Sequence, residues 1–66
     1  MNDMKLIVPS ELSGDLGVPE ATLAQWRYLG IGPAYHKVGR FVRYLEQDVE
    51  VWLERQRRGG DLNGAA

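Results

Sequence analysis

Cysteine is absent from the 66 residues, which excludes a disulfide framework and any thiolate metal site and fits a reducing compartment. No apolar run exceeds the length of Leu6-Ile7-Val8, far short of a membrane span or the core of a signal peptide, and the opening MNDMK lacks the charged-then-apolar layout of a leader. A cytoplasmic location is therefore expected. There is one histidine and no glycine-rich phosphate loop, and the acids spread along helix faces without forming a catalytic pair or a metal cluster. The chain is accordingly not expected to be an enzyme, and neither a cofactor nor a metal is expected. Its length allows one domain with a small core.

What the chain has is charge sorted along its length. The net charge is only -1, yet residues 21–45, ATLAQWRYLGIGPAYHKVGRFVRYL, hold Arg27, Lys37, Arg40 and Arg43 and not a single acid. Residues 1–20 carry one lysine against four acids, and residues 46–66 are again acidic on balance. Such sorting gives a small domain one basic face, the electrostatic footprint of a polyanion binder.

The hydrophobic spacing predicts a first helix with Val8, Leu12 and Leu16 on one stripe, Val8 at the N-cap, Pro9 at the first helical position and Glu11 in the first turn. Gly17 ends it, and Pro19 opens a second helix that runs to Leu29 and stops at Gly30. Leu23 and Trp26 point inward. Glu20, Ala24 and Tyr28 form an outer line, with Ala21 and Gln25 alongside. Two helices joined by so short a glycine-containing turn are a helix-turn-helix arrangement.

Beyond Gly32-Pro33 the period changes to two: Tyr35, Lys37, Phe41 and Arg43 alternate with His36, Val38, Val42 and Tyr44 around Gly39-Arg40. This predicts a two-stranded ribbon with a basic tip. Leu45, Val49, Trp52 and Leu53 then form the stripe of a third helix, in which Glu54 stands four residues before Arg58. Trp26 and Trp52 are assigned to the core. The expected domain is therefore 6–58, mainly α with a β-hairpin wing, preceded by a lead-in at 1–5 and followed by a glycine-rich, disordered tail at 59–66.

Three segments carry a resemblance to a known family: LGV followed by a polar helix ending in W-R-x-x-G, then GPAYHKVGRFVRY, then D-V-x-x-W-L at residues 48–53. On these the chain, over about residues 6–53, resembles the small excisionase-type DNA-binding proteins of the MerR-like winged helix-turn-helix superfamily. The resemblance implies that the second helix reads the DNA major groove while the ribbon reaches an adjacent minor groove or its phosphates. It implies a DNA-facing set of Glu20, Ala21, Thr22, Gln25 and Tyr28 on that helix and Lys37, Gly39, Arg40 and Arg43 on the wing, with Arg27 near the backbone. Two departures from the family pattern stand out. Val8 replaces the usual Ser or Thr cap, at a cost of about 1 kcal/mol, and Pro19-Glu20-Ala21 stands where relatives often carry Ser and Arg, which moves affinity toward the wing.

The residue chemistry suits these roles. Gln25 can pair with adenine N6 and N7, and Glu20 can accept from cytosine N4. Arg27, Lys37 and Arg43 offer cations to phosphate, and Arg40 suits a narrow minor groove. Other readings stand beside them: a brace from Arg27 to Asp15 or Glu20, a salt bridge from Arg43 to the third helix, Tyr28 as a cover for the core edge, and Tyr35 and Phe41 as ribbon packing. His36 reads as a strand residue near phosphate or solvent. Arg55, Arg57 and Arg58 fit the negative end of the third helix.

Regulators of the resembled superfamily append a long dimerisation helix and an effector domain, whereas this sequence stops about a turn after its third helix. The resemblance therefore points to a phage or prophage excisionase, or recombination directionality factor. Several copies would bind cooperatively to repeated attachment-site sequences, bend the DNA and direct a tyrosine-type integrase toward excision in a bacterial host. A small repressor on operator repeats and a protein-interaction module are the alternative readings.

Overall fold

The computed structural model describes residues 4–60. Most of the expected lead-in and tail lies outside them, as does the disorder expected of the tail. The elements are β1 (Leu6–Ile7), α1 (Pro9–Leu16), α2 (Glu20–Leu29), β2 (His36–Val38), β3 (Phe41–Leu45) and α3 (Glu46–Arg55). Three helices and a three-stranded antiparallel sheet of order β1-β3-β2 make a winged helix-turn-helix domain.

The helix-turn-helix is set by local chemistry. Val8 caps α1 in an extended conformation (φ -79, ψ 153) with no side-chain hydrogen bond, so its carbonyl alone receives the N–H groups of Glu11 and Leu12, each at 3.0 Å. At the other end Gly17 turns left-handed at φ 72, and the N–H groups of Gly17 and Val18 both donate to the Ser13 carbonyl at 2.9 and 3.1 Å. The Ser13 hydroxyl returns a hydrogen bond to the Val18 carbonyl. The turn is thus held from both strands of the chain, and Pro19, extended at the N-cap of α2, launches the second helix.

The wing differs from the expected two-stranded ribbon, because β1 adds a third strand. Leu6 pairs with Leu45 and Ile7 with Tyr44, and the Glu46 N–H donates to the Lys5 carbonyl at 2.9 Å. Two residues are too few to show a period of two, so this strand exists through its partner. Leu45, expected on the helical stripe of α3, is instead the last residue of β3 and the extended N-cap of α3 (φ -85, ψ 128). Strand passes into helix there with no turn residue to mark the change.

In the hairpin His36 opposes Arg43, Lys37 opposes Val42 and Val38 opposes Phe41, with Gly39-Arg40 as the connecting pair. Gly39 has φ 67, and no non-glycine residue among those described has positive φ, the pattern of a II′ hairpin turn. Opposed residues share a face. Ile7, Tyr44, Val42 and Lys37 therefore lie on one side and Leu6, Leu45, Arg43, Phe41, Val38 and His36 on the other.

The core takes one buried side chain from each of five elements: Ile7, Leu12, Leu23, Tyr44 and Val49, with Leu16, Val18, Trp26 and Val42 packed around them. Full burial of Leu12 and of Leu23 stabilises the fold by about 1.5–3 kcal/mol each. Trp26 and Trp52 meet with ring centroids 5.5 Å apart and planes tilted 46°, both half-buried. The pair closes one edge of the core, and Tyr44 is the largest side chain that is fully buried. Gly32, at φ 84, crosses directly over Trp26.

Candidate nucleic-acid interface

The inward turn of Leu23 and Trp26 leaves the opposite face of α2 to solvent. Glu20, Ala21, Gln25 and Tyr28 are exposed, while Thr22 is half-buried. Tyr28 is 85% exposed and so does not cover the core edge. Its phenol extends the outer line that begins at Glu20, which gives the helix an acid near its start, amide and methyl groups in the middle and an aromatic hydroxyl near its end.

Arg27 is turned the other way, toward the sheet. Its Nη1 donates to the Tyr44 hydroxyl oxygen at 2.7 Å, and its guanidinium carbon lies 5.8 Å from the Tyr35 ring centre and 6.0 Å from that of Tyr44. The two tyrosine rings are themselves 6.2 Å apart. The brace to Asp15 or Glu20 is not formed. Tyr44 takes their place because a buried phenol needs a polar partner for its hydroxyl, and an arginine one helix away can reach it. This junction pins the second half of α2 to β3, and with it the position of the helix relative to the wing. A tyrosine on the core-facing phase of the ribbon was the sequence signal for such a partner.

Lys37, Gly39 and Arg40 are exposed on the hairpin, and His36 is exposed opposite Arg43. Arg43 makes no salt bridge to α3. Its Nη1 donates to the Val42 carbonyl at 2.6 Å, and its guanidinium carbon sits 5.4 Å from the centre of the Phe41 ring. Arg40 approaches the same ring at 5.7 Å. Phe41 is thus more than ribbon packing.

Among the described residues the one ion pair is Glu54 with Arg57 at 2.9 Å, an exposed contact three residues apart that replaces the expected pairing of Glu54 with Arg58. Arg58 instead donates to the carbonyls of Arg55 and Arg57. No acid pairs with Arg27, Lys37, Arg40 or Arg43 among these residues, so the cations of the wing are not neutralised at short range. Among the described residues, no group of three or more His, Cys, Asp or Glu side chains gathers into a metal-binding cluster, and no helix is long and apolar enough to cross a membrane.

A protein-family model described as a helix-turn-helix domain matches residues 16–57, from the end of α1 to just past α3. No curated protein matches the chain, and no solved structure does.

Proposed function

The chain belongs to this helix-turn-helix domain family, whose members bind DNA sequence-specifically, and on that premise we propose that α2 enters the major groove, the β2–β3 hairpin reaches a flanking groove, and the protein acts as an excisionase. The observation that carries the docking is the Arg27–Tyr44 junction, which couples an exposed polar helix face to an acid-free cationic hairpin in one rigid unit. In this reading Gln25 and Glu20 contact base edges, and Ala21, Thr22 and Tyr28 line the same groove. Lys37 and Arg43 meet phosphates, with Gly39 allowing close approach at the tip and Arg40 reaching the phosphates that border the narrow minor groove. Arg27, with one donor committed to Tyr44, directs the rest of its five-donor guanidinium to the backbone.

Each copy offers a small interface, so occupancy is gained by cooperative binding to adjacent repeats, and several copies reading two grooves bend the duplex. The bent attachment site favours assembly of the excisive complex by a tyrosine-type integrase of a phage or prophage. That integrase does the cutting and joining. The segment GPAYHKVGRFVRY, on which the resemblance rests, supports DNA binding by the wing.

A gel shift on fragments from the protein's own locus, with protein and salt titrated, tests it. A ladder of discrete cooperative complexes beside an integrase target is the expected result. A single complex at a promoter makes the protein a repressor, and no shift on any fragment removes DNA as its partner. Within the complex, Arg40→Ala should weaken binding on all sequences, whereas Gln25→Ala should weaken it most at the preferred site. Equal loss on specific and random DNA for Gln25→Ala would refute the readout role.

A further inference from the structure

The wing arginines are gathered onto one ring. The guanidinium carbons of Arg40 and Arg43 lie 5.7 and 5.4 Å from the centroid of Phe41, and Arg43 is tethered in addition to the Val42 carbonyl. Phe41 is 54% exposed, faces Val38 across the hairpin and takes no part in the core cluster, so burial does not explain why an aromatic stands there. Its quadrupole does explain the arginines, because a ring face attracts a guanidinium. Each guanidinium held at the ring keeps further N–H donors for an anion, since the ring face offers no hydrogen-bond acceptor of carboxylate strength. A base stacking on Phe41 would compete with the guanidiniums for the ring, which argues against the ring as an intercalating wedge.

We infer that Phe41 is a positioning residue whose ring holds Arg40 and Arg43 as a pre-ordered two-cation clamp for backbone phosphates of a duplex. The inference rests on the DNA-binding reading above and deepens it, since no contact between Phe41 and DNA is required. Ordering long side chains before binding removes that entropic cost from the binding step, so loss of the ring should weaken binding about 5- to 30-fold. The number of phosphates neutralised should not change, because both arginines are still present.

The test is fluorescence anisotropy with a short fluorescein-labelled duplex of arbitrary sequence, which suffices because phosphate contacts are blind to sequence, titrated at several salt concentrations. Wild type, Phe41→Ala, Phe41→Tyr, Arg40→Ala and the Phe41→Ala/Arg40→Ala double variant are compared, with far-UV circular dichroism to verify folding. Phe41→Ala should lower affinity with an unchanged salt slope, whereas Arg40→Ala should reduce the slope by about 0.9. Phe41→Tyr, which keeps the ring, should bind within about twofold of wild type, and the double variant should lose less than the product of the single losses. If wild type binds while Phe41→Ala binds equally well, or while the two losses multiply independently, the clamp is wrong and the DNA-binding reading survives. If wild type fails to bind any duplex, both fall together.

Discussion

Replacing Gly32 by alanine challenges the loop that ties the helix-turn-helix to the wing, and two separate terms set the result. The residue has φ 84, and an alanine forced into the left-handed region loses about 1–2 kcal/mol. The new methyl would also stand 2.9 Å from Trp26 Cε3 and 3.0 Å from Trp26 Cβ. Overpacking of that kind adds about 1–3 kcal/mol, and the lower entropy of an unfolded chain with alanine offsets about 0.4–1 kcal/mol. The net expectation is a loss of about 2–4 kcal/mol, large for a domain of this size.

Two other glycines separate the terms. Gly39 has φ 67 but open space where its Cβ would go, so Gly39→Ala should lose only the conformational part, about 1 kcal/mol. Gly14, within α1, has neither a positive φ nor a neighbour within 4 Å, and Gly14→Ala should stabilise by about 0.5–1 kcal/mol. Urea unfolding followed by tryptophan fluorescence orders the three. If Gly32→Ala is too unstable to titrate alone, the Gly14→Ala background restores a baseline. A Gly32→Ala variant no less stable than Gly39→Ala would refute the close contact with Trp26.

Tyr44→Phe removes the hydroxyl that accepts from Arg27 and should lose about 1–2 kcal/mol. Arg27→Met should lose a similar amount, and the double variant little more than either, as measured by the same unfolding titration. Val8→Ser should raise stability by about 1 kcal/mol by supplying the side-chain cap that α1 lacks, which a shift in the urea midpoint at constant slope would register.

The boundaries of α1 and α2 were legible in the sequence because their chemistry is local. Pro9, Gly17, Pro19 and Gly30 act on their own backbone, and the structure places each at the terminus its residue type demands. The hairpin tip at Gly39-Arg40 was legible for the same reason, but its facing was not: the alternation sets Lys37 with Phe41 and Arg43, whereas the pairing sets it with Val42. What the sequence hid depends on distant neighbours. β1 has no pattern of its own and is a strand only because β3 lies beside it. Leu45 suits both the end of a strand and the first position of an apolar helical stripe, and pairing with Leu6 decides between them.

The site divides in the same way. That residues 21–45 carry the cations and no acid could be read directly. Where each guanidinium rests could not, because a long flexible side chain reaches several partners and the fold selects one. Arg27 found Tyr44 in place of Asp15 or Glu20, and Arg43 found Phe41 and the Val42 carbonyl in place of α3. Both selections turn on an aromatic residue, Tyr44 through its hydroxyl and Phe41 through its ring face.

The central claim is that α2 and the β2–β3 hairpin form one DNA-binding surface. Titration of the 15N-labelled protein with a duplex that it shifts on a gel, followed by amide chemical-shift mapping, tests this most directly. The account predicts that perturbations concentrate at residues 20–28 and 37–43 and spare the first turns of α1 and the acidic face of α3. Perturbations confined to the Arg55, Arg57 and Arg58 segment, or spread over α1 and α3 with the hairpin unmoved, would contradict it.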